Sequence, residues 1–398
     1  MDDARKAERD PAKQPIAGTR TPTGRPPFEC IALLLQGGGA LGAYQGGVYA
    51  ALAEAGIFPD WVCGVSIGAI NAALIAGNPP AQRVEKLRRF WAGVTTALPW
   101  GWTTDVVSRL SRGDDARAIL NQASAVNAVF SGVDGFFTPR FPGPWWQPPG
   151  SLEATSYYDT GPLRSTLSTL VDFDRINSGE TKFSVGAVNV RTGNFVYFDN
   201  ARYEIGPEHV MASGGLPPGF PAVEIEGEHY WDGGLISNTP LQWVLQYGPR
   251  QDMLAFQVDL WNARGDFPRT IIEVATRQKE IIYSSRTREN TDRFKNMQKI
   301  RHAAAEVLAA LPDGQQLDHG AADILKSFAD RKVYNIVHLI YRAQRYEGES
   351  KDYEFSRVSM EEHWRAGYND TIRSLRHPEI LERPANPDGL AVFDFAHD

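Results

Sequence analysis

Cysteine is nearly missing from this chain, with Cys30 and Cys63 the only two among 398 residues. Both fall in apolar runs of buried-strand character, which argues against a disulfide framework, points to a reducing cytosol, and leaves neither as a nucleophile. Long apolar stretches are missing too, so no segment reaches the length a helix needs to span a bilayer. Residues 1–27 are polar, charged and proline-containing without an apolar core; they are expected to form a disordered tail and neither a signal peptide nor an anchor. Nor is there a basic excess. A net charge of −7 removes the electrostatic case for nucleic acid. Zinc-type spacings, internal repeats and low-complexity blocks are also lacking, and neither metal nor cofactor is expected.

What the chain does have is glycine at strand ends. Cys63-Gly64-Val65-Ser66-Ile67-Gly68 follows an apolar run and precedes the small-residue segment 69–77. A strand ending at Val65 and a helix starting near Ile67 would pinch the backbone at Ser66 and lift its hydroxyl, with Gly64 and Gly68 where strand and helix approach most closely. Taken alone, the motif is also compatible with a glycine-rich turn in any α/β protein.

Upstream, the apolar run Cys30-Ile31-Ala32-Leu33-Leu34-Leu35-Gln36 leads into Gly37-Gly38-Gly39-Ala40-Leu41-Gly42 and then a helical segment, 43–55. Such a loop presents unpaired N–H groups and the positive end of a helix dipole, suited to a phosphate or a developing oxyanion. A nucleotide P-loop needs Gly-Lys-Ser/Thr, which is absent. A dinucleotide site needs an acidic residue at the end of the second strand, where Ser66 stands instead. An oxyanion hole explains both motifs, because both loops would leave the carboxyl ends of adjacent parallel strands.

A serine nucleophile needs a base. His209 and His229 precede the next strong motif, and His302, His319, His338, His363, His377 and His397 follow it; none lies in a glycine-flanked turn. Asp232 does, in Trp231-Asp232-Gly233-Gly234, and an aspartate exposed on such a turn could reach the serine hydroxyl directly; a solvated aspartate is a weak base, so partial burial beside Trp231 and the glycines is expected to adjust its pKa. An ordinary Asp-Gly turn is the alternative.

In that order, the loop 37–42, Gly64-Val65-Ser66-Ile67-Gly68 and Asp232-Gly233-Gly234 resemble the three signatures of the patatin-like phospholipase family. Residues 187–194 resemble that family's internal hairpin, and Ala212-Ser213-Gly214-Gly215-Leu216-Pro217 with Phe220-Pro221-Ala222-Val223 its segment before the aspartate. The loop departs from the pattern at Ala40-Leu41, where many relatives carry a basic residue. The resemblance covers about residues 28–260. It implies acyl-ester hydrolysis by a Ser66–Asp232 dyad without histidine or metal, with Gly37, Gly38 and Gly39 as oxyanion hole and Gly42, Gly64, Gly68, Gly233 and Gly234 as motif glycines. Phospholipase A or lysophospholipase chemistry leads. A thioesterase or polyester hydrolase on the same dyad, or a noncatalytic lipid- or granule-binding protein, remain alternatives.

The alternation of strand, glycine turn and helix predicts a three-layer α/β/α domain with a largely parallel central sheet over 28–260, the site at the strands' carboxyl ends. An insertion at 99–160 is rich in aromatic residues and prolines. Its stretch 136–146 cannot be a regular helix and suits a structured loop or lid, with Trp145 and Trp146 covering the cleft, entering a lipid interface, or packing in the core. Residues 261–398 are expected to form a helical and strand extension packed on the catalytic domain, similar to one in a subset of bacterial patatin-like proteins. Within it, 269–311 holds nine Lys/Arg against five Asp/Glu. Ile271, Ile272, Val274, Ile281, Ile282, Phe294, Met297, Ile300, Val307 and Leu308 are expected to form a buried stripe there, beneath a basic face that suits anionic lipid head groups or is equally a solvated face of a helix packed on the catalytic domain. A strand at 332–342 and a helix at 359–373 complete the expectation, for a cytoplasmic protein with peripheral membrane contact.

Overall fold

The computed structural model describes residues 24–95, 114–248, 250–284, 287–311, 319–344 and 346–395. Most of the expected tail and the stretch 99–113 of the insertion lie outside those residues. Strand β1 (Cys30–Leu35) is buried along its whole length. Its side chains alternate between two cores: Ile31, Leu33 and Leu35 join one, Cys30, Ala32 and Leu34 the other. Both faces of the sheet are therefore covered, which is why the strand reads as a continuous apolar run.

The first face carries helices α1 (Ala43–Glu54), α2 (Ile67–Ala76) and α3 (Pro80–Gly93). Leu241, Val244 and Leu245 of the helix Leu241–Tyr247 help cover the second. The three-layer expectation holds.

Strands β2 (Trp61–Val65), β3 (Thr138–Pro139), β4 (Tyr158–Asp159), β5 (Lys182–Asn189), β6 (Phe195–Asp199), β7 (Val223–Ile225), β8 (Glu228–Asp232), β9 (Met253–Asp259), β10 (Tyr334–Ile340) and β11 (Leu390–Phe393) follow β1. The main sheet has the order β11-β10-β9-β1-β2-β5-β8-β7, and its pairs are parallel from β11 to β5. The strand expected at 332–342 is thus β10. With β11 it extends the sheet beyond β9, so the C-terminal region shares one sheet with the motif-bearing strands.

The register at β5 brings the candidate residues together. Antiparallel β6 pairs with residues 184–188 along one edge, so β2 and β8 must share the other edge in succession. Val65 is the partner of Gly186, and Asp232 is the partner of the next residue, Ala187. The end of β2 and the end of β8 therefore meet.

The insertion includes a helix, Asp114–Ser131, that its aromatic and turn-forming composition did not suggest. From residue 132 onward it is irregular, as expected: a two-stranded β3–β4 ladder and a 3-10 turn at Pro144–Trp146. Phe136 and Phe137 are buried against Phe220 and Phe355. Trp145 and Trp146 are each 82% exposed, which rules out core packing for them.

The expected buried stripe in the C-terminal region is corrected. Helices α4 (Ile271–Tyr283) and α5 (Thr287–Ala310) form there, but Ile271, Val274, Ile281, Ile282, Met297, Ile300 and Val307 are exposed, while Phe294 is buried. Leu308 is half-buried, and the Ile272 side chain lies outside the described ones. Helix α5 meets the sheet through a narrow seam, with Phe294 edge-on to Tyr334 at 5.0 Å. Periodicity reports a helix with an apolar face and says nothing of what covers it. The closing helix, α6, runs Arg357–Leu375. Among the described residues no helix is long and apolar enough to cross a membrane.

Candidate active site

Ser66 stands between β2 and α2 with φ 57° and ψ −126°, a backbone conformation that side-chain-bearing residues rarely adopt. The flanking glycines are required by contact distance. A Cβ on Gly64 would lie 2.2 Å from the Gly68 carbonyl oxygen, and one on Gly68 would lie 2.2 Å from that of Leu35. The turn is held by the Ser66 N–H, which donates to both the carbonyl and the hydroxyl of Ser213, each at 3.1 Å. The Ser213 hydroxyl in turn donates to the Gly186 carbonyl at 2.6 Å.

Asp232 was expected on an exposed turn with partial burial beside Trp231; it is fully buried, at 2% exposure. Its position at the end of β8, directly against β5, explains the difference. The carboxylate accepts from the Gly234 N–H at 2.7 Å and from the Ser66 hydroxyl. Burial raises its pKa from 3.8 to about 6, outweighing the lowering by those two hydrogen bonds. Its own N–H donates to the Gly215 carbonyl at 3.1 Å. A Cβ on Gly233 would meet the Gly186 carbonyl at 2.6 Å, and one on Gly234 would lie 3.1 Å from both Asp232 Oδ1 and Asn238 Oδ1. No histidine bonds Ser66 or Asp232 among the described residues. Buried His209, four residues before Ser213, accepts from the Gly206 N–H through Nδ1 and packs its ring on Phe198.

The glycine loop lies against the serine: a Cβ on Gly37 would be 2.9 Å from that of Ser66. Its three expected oxyanion donors separate. The Gly37 N–H is already taken by the Asn238 carbonyl at 3.3 Å, whereas those of Gly38 and Gly39 have no partner among the described residues. Gly42 sits where a Cβ would strike Ile67 at 2.6 Å, so this glycine packs the loop against α2.

Residues that sequence reasoning did not assign hold these parts in register. Buried Gln36 accepts from the N–H groups of Leu260 and Trp261 and donates to Thr239 and the Tyr283 carbonyl. Asn238 donates to the carbonyls of Gly37 and Tyr283, each at 3.0 Å. The only local signal was a polar residue closing an apolar strand at Gln36, and an asparagine six residues beyond Asp232.

The arrangement is a serine in a rarely adopted backbone conformation, a buried carboxylate in hydrogen-bond contact with it, and two N–H groups alongside that have no partner among the described residues. A family model described as patatin-like phospholipase matches residues 33–245, and a second, described as patatin phospholipase, matches 281–387. Over 68 residues the chain is 46% identical to patatin-like phospholipase domain-containing protein 6 of Mus musculus, covering 17% of this chain and 5% of that one. Over 103 residues it is 43% identical to patatin-like phospholipase domain-containing protein 7 of Rattus norvegicus, covering 26% and 6%. The chain thus spans about a twentieth of the length of these curated relatives. Among solved structures, VipD from Legionella pneumophila aligns with 92% of this chain and 72% of its own, at TM-score 0.41 and 16% identity. With its family model covering more than half of its length, the chain belongs to the patatin-like phospholipase family.

Proposed function

We propose that this protein hydrolyses carboxylic esters of lipids, phospholipids or lysophospholipids first among them, through a Ser66–Asp232 dyad and an acyl-enzyme. Asp232 takes the Ser66 proton as Oγ attacks the ester carbonyl, and the Gly38 and Gly39 N–H groups receive the oxyanion. Collapse of the tetrahedral adduct expels the alcohol, which leaves with the proton from Asp232. Water then attacks the acyl-enzyme with Asp232 again as base, releasing the fatty acid and restoring the Ser66 hydroxyl. The observation that carries this reading is the contact between a serine in strained backbone and a buried carboxylate whose pKa is pushed up to about 6. A solvated aspartate would be too weak a base, and the shift brings this one near neutral pH. It also weighs against a noncatalytic protein, in which neither the strain at Ser66 nor the buried charge would serve a purpose.

The substrate reading extends to peripheral contact between a cytoplasmic protein and a lipid surface. Leu235 and Ile236 directly follow the Asp232 turn and are exposed, as are Ile281 and Ile282, just before the Tyr283 carbonyl that Gln36 and Asn238 bind. The Pro218 and Gly219 carbonyls anchor Tyr157 and Tyr158 of the insertion, which carries exposed Phe141, Trp145 and Trp146. Apolar groups of this kind suit acyl chains and the bilayer interface.

Labelling with a fluorophosphonate, with the modified peptide mapped, tests the dyad: modification at Ser66 is expected, abolished in Ser66→Ala and strongly slowed in Asp232→Asn. A folded wild type that stays unlabelled with and without vesicles sinks the reading. Phospholipid, acyl-thioester and polyester substrates compared on the labelled enzyme separate the lead from its rivals.

A further inference from the structure

The glycine loop is held in large part by the C-terminal region. The Ala40 N–H donates to the main-chain carbonyl of Asp352 at 2.8 Å. Gly39, at φ +55°, lies so close that a Cβ there would be 2.0 Å from the same carbonyl oxygen. Asp352 is fixed by two crossed ion pairs to helix α4: its carboxylate takes Lys279 at 3.0 Å, and neighbouring Lys351 takes Glu280 at 2.7 Å. Lys279 also donates to the Glu349 carbonyl at 3.2 Å. Lys351 is buried, 5.2 Å from the ring centre of Trp261, and Trp261 Nε1 donates to the Gly37 carbonyl at 3.0 Å. One set of charges thus reaches both ends of the loop, Gly37 through Trp261 and Ala40 through Asp352.

We propose that residues 349–352, locked by Lys279 and Glu280, are a positioning element for the oxyanion hole. The Asp352 carbonyl occupies the Ala40 N–H and fixes the peptide planes before it, leaving the N–H groups of Gly38 and Gly39 to receive the oxyanion. This rests on the dyad reading above and gives the C-terminal region a part in the same site. The contribution is geometric: donors held at the oxyanion position act without reorganisation, and a displacement near 1 Å costs about a hundredfold in rate.

The test uses the full chain, a soluble p-nitrophenyl ester and a fluorophosphonate. Lys279→Glu and Asp352→Lys are compared with the double charge swap, and Lys279→Gln serves where a reversal fails to fold. Turnover is normalised to Ser66 sites titrated, so that misfolded protein does not count. The single variants are expected to lose about tenfold to a hundredfold in kcat with KM within about twofold. The rate of Ser66 labelling should fall in parallel, the acid limb of the pH profile should stay where Asp232 sets it, and the double swap should recover most of the loss. A folded Lys279→Gln or single reversal with a lowered thermal midpoint and unchanged kcat per titrated site would show a purely structural clamp and overturn the proposal. If the wild type itself is not labelled at Ser66, the dyad reading falls and this inference with it.

Discussion

Gly64 and Gly68 on one side of the site, and Leu235, Ile236, Ile281 and Ile282 on the other, both break the preferences of ordinary local structure, for different reasons. The glycines give up helix and strand propensity because backbone atoms 2.2 Å from an added Cβ leave no alternative. The aliphatic residues leave apolar surface exposed among the described residues, with no such steric restriction on their type. The interior of the site is thus fixed by the molecule's own sterics, whereas its rim is where the proposed lipid surface would be placed.

The sharpest way to break the comparison is to add a methyl group. Gly68→Ala puts a Cβ against the Leu35 carbonyl, backbone that cannot rotate away, and is expected to abolish Ser66 labelling and cost more than about 3 kcal/mol of stability. Gly93→Ala meets nothing within 4 Å and is expected to change stability by no more than about 1 kcal/mol, in the stabilising direction. Thermal melts of the two variants, read beside fluorophosphonate labelling, check both.

Asp232→Asn should separate activity from stability. The proton is held more tightly in the folded chain than in the unfolded one, because burial raises the carboxyl from 3.8 to about 6. The stability this contributes is complete below about pH 4 and is lost as pH rises through about 6. Above that pH the buried charge costs about 3 kcal/mol. The asparagine variant is therefore expected to lose about a thousandfold or more in ester hydrolysis while gaining up to about 3 kcal/mol at pH 8 and almost nothing at pH 3. Denaturant titrations at the two pH values check the sign. The same shift predicts that wild-type kcat/KM rises about tenfold per pH unit up to about 6 and then levels, since only the ionised carboxylate accepts the serine proton.

What could be read in the sequence follows the same division. The strand–glycine–helix turns were legible because contact distance restricts them to one residue type, and so were the sheet's two buried faces, which demand continuous apolar strands. The pairing of Ser66 with Asp232 was legible through the family resemblance and not through local pattern, because the meeting depends on β2 and β8 sharing an edge of β5, a matter of long-range register. The burial of Asp232 was expected as partial and its full extent was missed for that reason. Gln36 and Asn238 were invisible as framework, since a hydrogen bond spanning more than 200 residues leaves no local trace. The stripe 271–308 was misread because amphipathic spacing is the same whether a protein core or an outside surface covers it.

The rim supplies the smallest effects and the most selective ones. Ile281→Ser with Ile282→Ser, or Trp145→Ala with Trp146→Ala, removes apolar groups that already face solvent, so the folded state loses little packing and stability is expected to stay within about 0.5 kcal/mol. Hydrolysis of a soluble ester should be unchanged, because none of these side chains contacts Ser66, Asp232 or the glycine loop among the contacts described. On phospholipid vesicles the variants are expected to lose about threefold to tenfold in turnover, as each apolar side chain withdrawn from an interface forfeits roughly 1 to 2 kcal/mol of burial, only part of which the rate registers. Equal losses on both substrates would mean that these residues shape the site itself. Equal retention on both would leave the exposed stripe with no lipid to meet, and the division between a site fixed from within and a rim fixed from without would fail.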